Sequence, residues 1–275
     1  MRYFSFVRTS IKKFFLRHAH AEYAIVFLGA LFLYATLQSS PTFLDPDAFY
    51  HIKMAVLMRE HGIIREFTAL PFTLFGAPFT DHHFLYHVFL IPFITFFSPL
   101  LGAKLATALI ASAAILFFYA LLKKYRAPIP WLFTLFLATS HPFMLRINLV
   151  KTSGIGVIFL FSALYFLFQK KYLPLFLLSF FYVWTHAGWP LMLVFLFAAI
   201  AGEILESWWR KKRLSLQELF AKKRLLLFFS IVGGLLSGLI INPYFPQNLV
   251  FYQEQIIRIA IVGAREASLY GQETA

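Results

Sequence analysis

The chain has 275 residues, of which 60% are hydrophobic and only 13% charged, with a mean hydropathy of +0.72. Soluble domains carry roughly 25% charged residues, so water is excluded as the main solvent, and the absence of cysteine excludes disulfide frameworks, thiolate metal sites and cysteine nucleophiles together. The net charge of +13 is informative by position rather than by sum, because basic residues of membrane proteins collect on the cytoplasmic side; it assigns no nucleic-acid partner.

The first stretch, Met1 to His20, mixes Arg and Lys with Phe4, Phe6, Phe14, Phe15 and Leu16. It predicts a cytoplasmic interfacial amphipathic segment over 1–21. A cleavable signal peptide is not expected, since the apolar run that follows is too long and has no small-residue cleavage site. The remainder, 22–275, reads as one transmembrane domain. Its apolar blocks have the length that crosses a ~30 Å hydrocarbon layer as a helix, and backbone amides in lipid must be satisfied within their own segment. Seven spans are expected: Glu22 to Gln38, Gly102 to Leu122, Trp131 to Leu145, Gly154 to Phe168, Tyr172 to Trp184, Gly188 to Ile204 and Leu225 to Ile241. The runs lack the apolar–polar alternation of a β-barrel, so the expected fold class is all-α, a polytopic helical membrane protein.

One further apolar run, Phe84 to Pro99, is decided by charge. If it crossed, the Lys123–Lys124–Arg126 cluster, the Lys170–Lys171 pair and the basic stretch Arg210 to Arg224 would all fall outside. It is therefore expected to lie in the outer interface or to re-enter, with the N-terminus cytoplasmic. One long outer loop, 39–101, then shares its compartment with Arg146 to Ser153, Thr185 to Ala187 and everything from Asn242 onward.

The residues able to do chemistry lie in those outer segments. In Asp45-Pro46-Asp47-Ala48-Phe49-Tyr50-His51, an aspartate before a proline is a good helix start, with Asp47 in the first turn beside the positive end of the helix dipole. Asp47 and His51 are four apart, so this carboxylate and imidazole also suit a divalent cation or a general base. Asp81-His82-His83, with His87 four residues past His83, offers either a helix cap with interfacial histidines or a metal site in which His83 and His87 converge. The turn Trp184-Thr185-His186-Ala187-Gly188-Trp189-Pro190 reads as an aromatic belt around a helix break, and Asn242-Pro243-Tyr244-Phe245-Pro246 as a helix stop. Lys151, at the outer end of a span, either marks the interface or suits a phosphate. His141-Pro142 lies deeper and reads as packing or a kink.

In this order of features the chain resembles the GT-C superfamily of membrane glycosyltransferases, and within it the catalytic subunit of oligosaccharyltransferase. The resemblance is carried by a long outer loop opening on LDPDAFYHIKMA, by LPFTLFGAPFTDHH further along it, and by YVWTHAGWP before a later span. It implies transfer of a sugar or oligosaccharide from a polyprenyl-phosphate carrier to a protein or glycan acceptor at the outer face of the cell membrane, helped by a divalent cation (Mg or Mn). Asp45 and Asp47 match the aspartates that ligate metal or act as base in that family. The family's second acidic motif has no counterpart in Leu145 to Thr152, so either Asp81, His82 and His83 supply the missing ligands beside Asp47 and His51, or the protein works without metal, or it has lost activity. Lys151, Arg146 or Arg258 would steady the departing phosphate, and Trp184, His186, Trp189, Asn242 and Tyr244 would line the substrate. Members of the family are longer, so a missing C-terminal part is expected. The rival expectation is a transporter or lipid-binding scaffold without catalysis, whose ionisable groups would meet at mid-membrane.

Overall fold

The computed structural model describes residues 21–67, 78–211 and 222–255. The Met1–His20 segment, most of the LPFTLFGAPF stretch, most of the Arg210 to Arg224 loop, Arg258 and the C-terminal end lie outside the described residues. Among the described residues every element is helical. In chain order they are α1 Ala21–Leu37, α2 Asp47–His61, α3 Phe84–Phe96, α4 Pro99–Lys124, α5 Pro130–Thr139, α6 His141–Ile147, α7 Ser153–Phe168, α8 Tyr172–Thr185, α9 Leu191–Lys211, α10 Lys222–Ile240 and α11 Gln247–Tyr252.

Among the described residues three helices are long and apolar enough to cross a membrane: α4, α9 over Leu191–Trp209, and α10. Five more, α1, α3, α5, α7 and α8, are apolar but shorter. Large apolar side chains such as Ile25, Phe32, Phe96 and Phe136 stay exposed. In water that would be costly, and in lipid it is the expected outer surface.

The expected span Trp131 to Leu145 is not one helix. It breaks at Ser140, whose backbone is extended, and restarts at His141 with Pro142 in the first turn. Proline has no N–H to continue a ladder and is tolerated in a helix's first turn, where that N–H would go unpaired anyway, so Pro142 marks a restart rather than a bend. Nearby, α4 starts three residues earlier than expected, because Ser98 caps it by accepting from the Leu101 N–H at 3.4 Å and Pro99 occupies the first turn.

The chain divides into two compact units, Met1–Ile52 with Pro92–Phe161, and Lys53–Ile91 with Ser162–Ala275. In the first unit α1 packs on α4 around Ala30, Tyr34, Ala108, Ala111 and Ile115. The two run antiparallel. The start of α1 is tied to the end of α4 by Lys123 Nζ to Glu22 Oε1 at 2.8 Å and by the Tyr119 hydroxyl donating to Glu22 Oε2 at 2.9 Å. At the opposite end the Lys104 ammonium donates to the Ser40 carbonyl and sits over the Phe43 ring. Gly102 lies against the Phe93 carbonyl so closely that a Cβ would have no room, which lets the end of α3 fold back onto the start of α4.

In the second unit α8 packs along α10 through Gly234 and Gly238. These face the backbones of Phe176 and Phe180 in the same order along both chains, so the helices are parallel. Small residues permit the close approach that dispersion forces need in lipid, where no hydrophobic effect drives association. Glu203 of α9 joins Lys170 at 3.7 Å and Arg224 at 3.3 Å at one end of this unit. The other end is closed by Trp184 Nε1 donating to the Gly238 carbonyl at 2.8 Å, Asn248 Nδ2 to the Leu239 carbonyl at 2.8 Å, and the Tyr252 hydroxyl to the Val183 carbonyl at 3.0 Å.

Candidate functional site

The first unit carries a compact ion cluster at the start of α2. Asp45 is the helix cap: its Oδ1 accepts the Asp47 N–H at 2.8 Å, and its carbonyl accepts from Ala48. Its other oxygen, Oδ2, takes the Lys151 ammonium at 2.7 Å, and Asp47 Oδ2 takes the same ammonium at 2.7 Å. One cation therefore bridges both aspartates. The Asp47 side chain is 59% exposed and the Lys151 side chain 23%, so Asp47 is the member that solvent or a substrate can reach.

The placement of Lys151 follows from its neighbours. Val150 is buried against Ala48, Ile52 and Ala103, so the segment after α6 packs on the inner face of α2's first turns. Asn148, two residues earlier, is buried and receives the Gln38 amide on its carbonyl at 2.5 Å and on its side-chain oxygen at 3.1 Å. Ser153 Oγ donates to the Arg146 carbonyl at 2.9 Å. With both flanks pinned, the lysine stem has one short path, toward the aspartates.

The electrostatics follow the geometry. The hydrogen bond from Lys151 holds the Asp45 carboxyl below its usual range; partial burial opposes this, while the Asp47 N–H and the charge of Arg146 add to it. For Lys151, burial favours the neutral amine, but the hydrogen bonds to Asp45 and Asp47 outweigh it and the ammonium is held above its ordinary value. A cleft of about 50 Å³, lined in part by Gln38, Ser40, Asp45 and Asn148, opens beside the cap. It has room for a water or two.

His51 is buried, its ring 5.3 Å from that of Tyr50. The expected pairing of Asp47 and His51 on one accessible face is not what forms, since the imidazole turns into the packing while the carboxylate stays at the surface.

The second unit holds the histidine group. Asp81 and His87, both fully buried, form a pair at 2.6 Å between Oδ2 and Nδ1, while Asp81 Oδ1 accepts the His83 N–H at 2.9 Å and so caps α3. His83 Nδ1 lies 3.4 Å from the Thr185 carbonyl, and its ring is 6.0 Å from that of His186. His82 stacks on Phe251 at 4.4 Å, with its Nδ1 buried and unpartnered. Burial lowers its pKa to about 4, against the pull of Asp81, so it is neutral at pH 7. His83 and His87 do not converge: their rings are 6.3 Å apart at 80°, and His87 is engaged by Asp81.

The residues expected to line a substrate surround this group as packing. Phe84 meets Trp184 and Tyr244 edge-on, and Trp189 meets Tyr252 in the same way. Asn242 Oδ1 accepts the Tyr244 N–H at 2.9 Å. Arg65, which the sequence did not single out, donates to the Pro243 carbonyl at 3.1 Å.

A divalent cation does not fit these residues as folded. Among the described residues no three His, Asp or Glu side chains are placed to hold a metal ion, neither around Asp47 and His51 in the first unit nor around Asp81, His82 and His83 in the second. The gap between Asp45 and Asp47 is filled by an ammonium at 2.7 Å from each, a spacing for N–H···O bonds and not for the ~2.0–2.1 Å contacts of magnesium. No family model, no curated protein and no solved structure matches the chain.

Proposed function

We infer that the chain is a membrane glycosyltransferase of the GT-C kind, moving a sugar or oligosaccharide from a polyprenyl-phosphate carrier to a protein or glycan acceptor at the outer face of the cell membrane. The observation that carries this reading is the cluster at the start of α2, where two carboxylates and a lysine, with Arg146 nearby, stand just after the first apolar helix. Such a site offers both groups that glycosyl transfer from a phosphate requires. Asp47, the exposed carboxylate, takes the proton of the acceptor hydroxyl or amide as its oxygen or nitrogen bonds to the sugar carbon. The bond from that carbon to the phosphate oxygen breaks, its electrons pass to the phosphate, and the third N–H of Lys151 together with the Arg146 guanidinium meets the growing negative charge. Asp45 holds the helix start and aims the lysine.

Seven spans with a cytoplasmic N-terminus remain the topology of this reading, with 39–101, 146–153, 185–187 and the chain from 242 facing outward. It is supported within the first unit by the antiparallel α1 and α4: α4 begins at the end where α1 finishes, so the chain between them starts and returns on one side, which a single crossing would not allow. Within the second unit it is supported by Lys170, Glu203 and Arg224 gathering at one end while Thr185 and Asn242 lie at the other. The membrane-buried helices hold the polyprenyl tail.

The test is transfer by the full-length chain in proteoliposomes supplied with a labelled polyprenyl-phosphate sugar and a peptide or glycan acceptor. Donor-dependent labelling of the acceptor is expected. Binding or movement of the lipid without any transfer would instead favour the transporter or scaffold.

A further inference from the structure

We infer that Lys151 is a tethered cation standing in the place of a divalent ion between Asp45 and Asp47, so that this carboxylate pair works without metal. Both Oδ2 atoms lie 2.7 Å from the one ammonium nitrogen. The position equidistant from the two carboxylates, where a bridging ion would gain most, is therefore occupied by a group the chain itself supplies.

Three features make the occupancy durable. The lysine is fixed from both sides: Val150 and Thr152 are buried, Asn148 is clamped by Gln38, and the Lys151 N–H donates to the Leu149 carbonyl at 2.7 Å. A group tethered this closely competes at an effective concentration that a free ion must exceed. The charges already balance, because Asp45 and Asp47 face Lys151 and Asp45 also feels Arg146, and Lys104 is bound to the adjacent Ser40 carbonyl. An entering dication would gain the same two carboxylates only by expelling one cation into the company of the others, and like charges at such range repel strongly. The remaining donors are missing too, since His51 is turned into the packing and no third acidic or histidine side chain joins the pair among the described residues. With the ammonium in place, these two carboxylates offer an ion that seeks six oxygen ligands no free bridging position; only with it removed could the pair hold one, water supplying the remaining ligands.

The inference makes a reciprocal prediction: removing the ammonium should open a metal site. Full-length protein in nanodiscs of zwitterionic lipid is titrated with Mn²⁺ and the free ion followed by electron paramagnetic resonance. Wild type and Asp47→Asn should be indistinguishable. Lys151→Ala should gain one site binding Mn²⁺ at least tenfold more tightly than any in wild type, the added Asp47→Asn change should abolish it, and Lys151→Arg should not gain it. Should Lys151→Ala fail to fold, Lys151→Gln takes its place, and the wild-type arm decides independently. A wild-type Mn²⁺ site lost in Asp45→Asn or Asp47→Asn would overturn the inference, as would a folded Lys151→Ala or Lys151→Gln protein that gains nothing. The consequence for the reaction rests on the transferase reading: transfer should persist in excess chelator, and its loss there would also overturn the inference. Absence of all transfer would remove the transferase reading, while the titration would still decide what occupies the site.

Discussion

Replacing Asp45 and Asp47 separately by alanine should split their structural and chemical parts. Asp45→Ala removes the acceptor for the Asp47 N–H and one of the two ion pairs to Lys151. A lost cap costs about 0.5–2 kcal/mol, and a partly exposed ion pair adds up to about 1 kcal/mol. Asp47→Ala leaves the cap and the Asp45–Lys151 pair in place. It loses one ion pair whose carboxylate is 59% exposed, for about 0.2–1 kcal/mol once solvent screening is counted. Unfolding of the full-length chain in mixed micelles, followed by circular dichroism, should therefore rank Asp45→Ala clearly below Asp47→Ala, with Asp47→Ala close to wild type. The ion pairs also set a pH window. The Asp45 carboxyl is held low, so its contribution is complete above the ordinary value of 3.8 and fades as pH falls through the folded pKa. Lys151 is held high, so its contribution is complete below 10.5 and fades as pH rises through its folded pKa. Between these limits the gap between the two variants should be flat. If Asp47→Ala proved as destabilising as Asp45→Ala, the division into a cap and an accessible carboxylate would be refuted.

Acid should loosen the second unit through His82. Its folded pKa of about 4 lies below the ordinary 6.5, so the unfolded chain binds the proton first. Stability is whole above pH 6.5 and falls by about 3 kcal/mol as pH drops toward 4, at roughly 1.4 kcal/mol per unit. His82→Phe should flatten that slope in a pH series of melts, and an unchanged slope would clear His82 of the effect. At the α8–α10 contact a Cβ on Gly234 would sit 2.9 Å from the Ser179 Cβ and press on the Phe176 backbone. Gly234→Val should then cost about 1–3 kcal/mol by overpacking, whereas Gly202→Val, where nothing lies within 4 Å, should cost far less; equal losses would contradict the close parallel packing. His87→Ala should cost about 1–3 kcal/mol, since it leaves a buried Asp81 oxygen without its hydrogen-bond partner, and Asp81→Asn/His87→Ala together should recover part of that loss in the same melts.

Local chemistry was legible in the sequence; long-range chemistry was not. Asp45-Pro46-Asp47 announced a helix start, and α2 begins at Asp47 with Asp45 as its cap. The prolines after Asn242 announced a stop, and α10 ends at Ile240. His141-Pro142 was noticed as a kink, but a single apolar run hid the full break at Ser140, because hydropathy is blind to backbone conformation. The link from Lys151 to Asp45 and Asp47 spans more than a hundred residues, and no periodicity reports such a contact. Its trace in the sequence was indirect: two cations, Arg146 and Lys151, in the outer segment, and no acid between Leu145 and Thr152. Asp81 pairs with His87, not His83 with His87, because residues 81–83 form the turn before α3 and the side chain of its cap reaches back over the first helical turn. Spacing by fours holds inside a helix and fails at its edge.

The most direct measurement of the central claim is the rate of transfer from a labelled polyprenyl-phosphate sugar by wild type and by Asp47→Asn, in the same proteoliposomes and with donor binding measured alongside. Asparagine keeps the shape of the side chain and an oxygen for Lys151 but cannot take a proton. A base of this kind contributes about 10²–10⁴-fold, so the account predicts a loss of at least about a hundredfold in the transfer rate with donor affinity nearly unchanged. An Asp47→Asn protein that transfers sugar within a few-fold of wild type would contradict it.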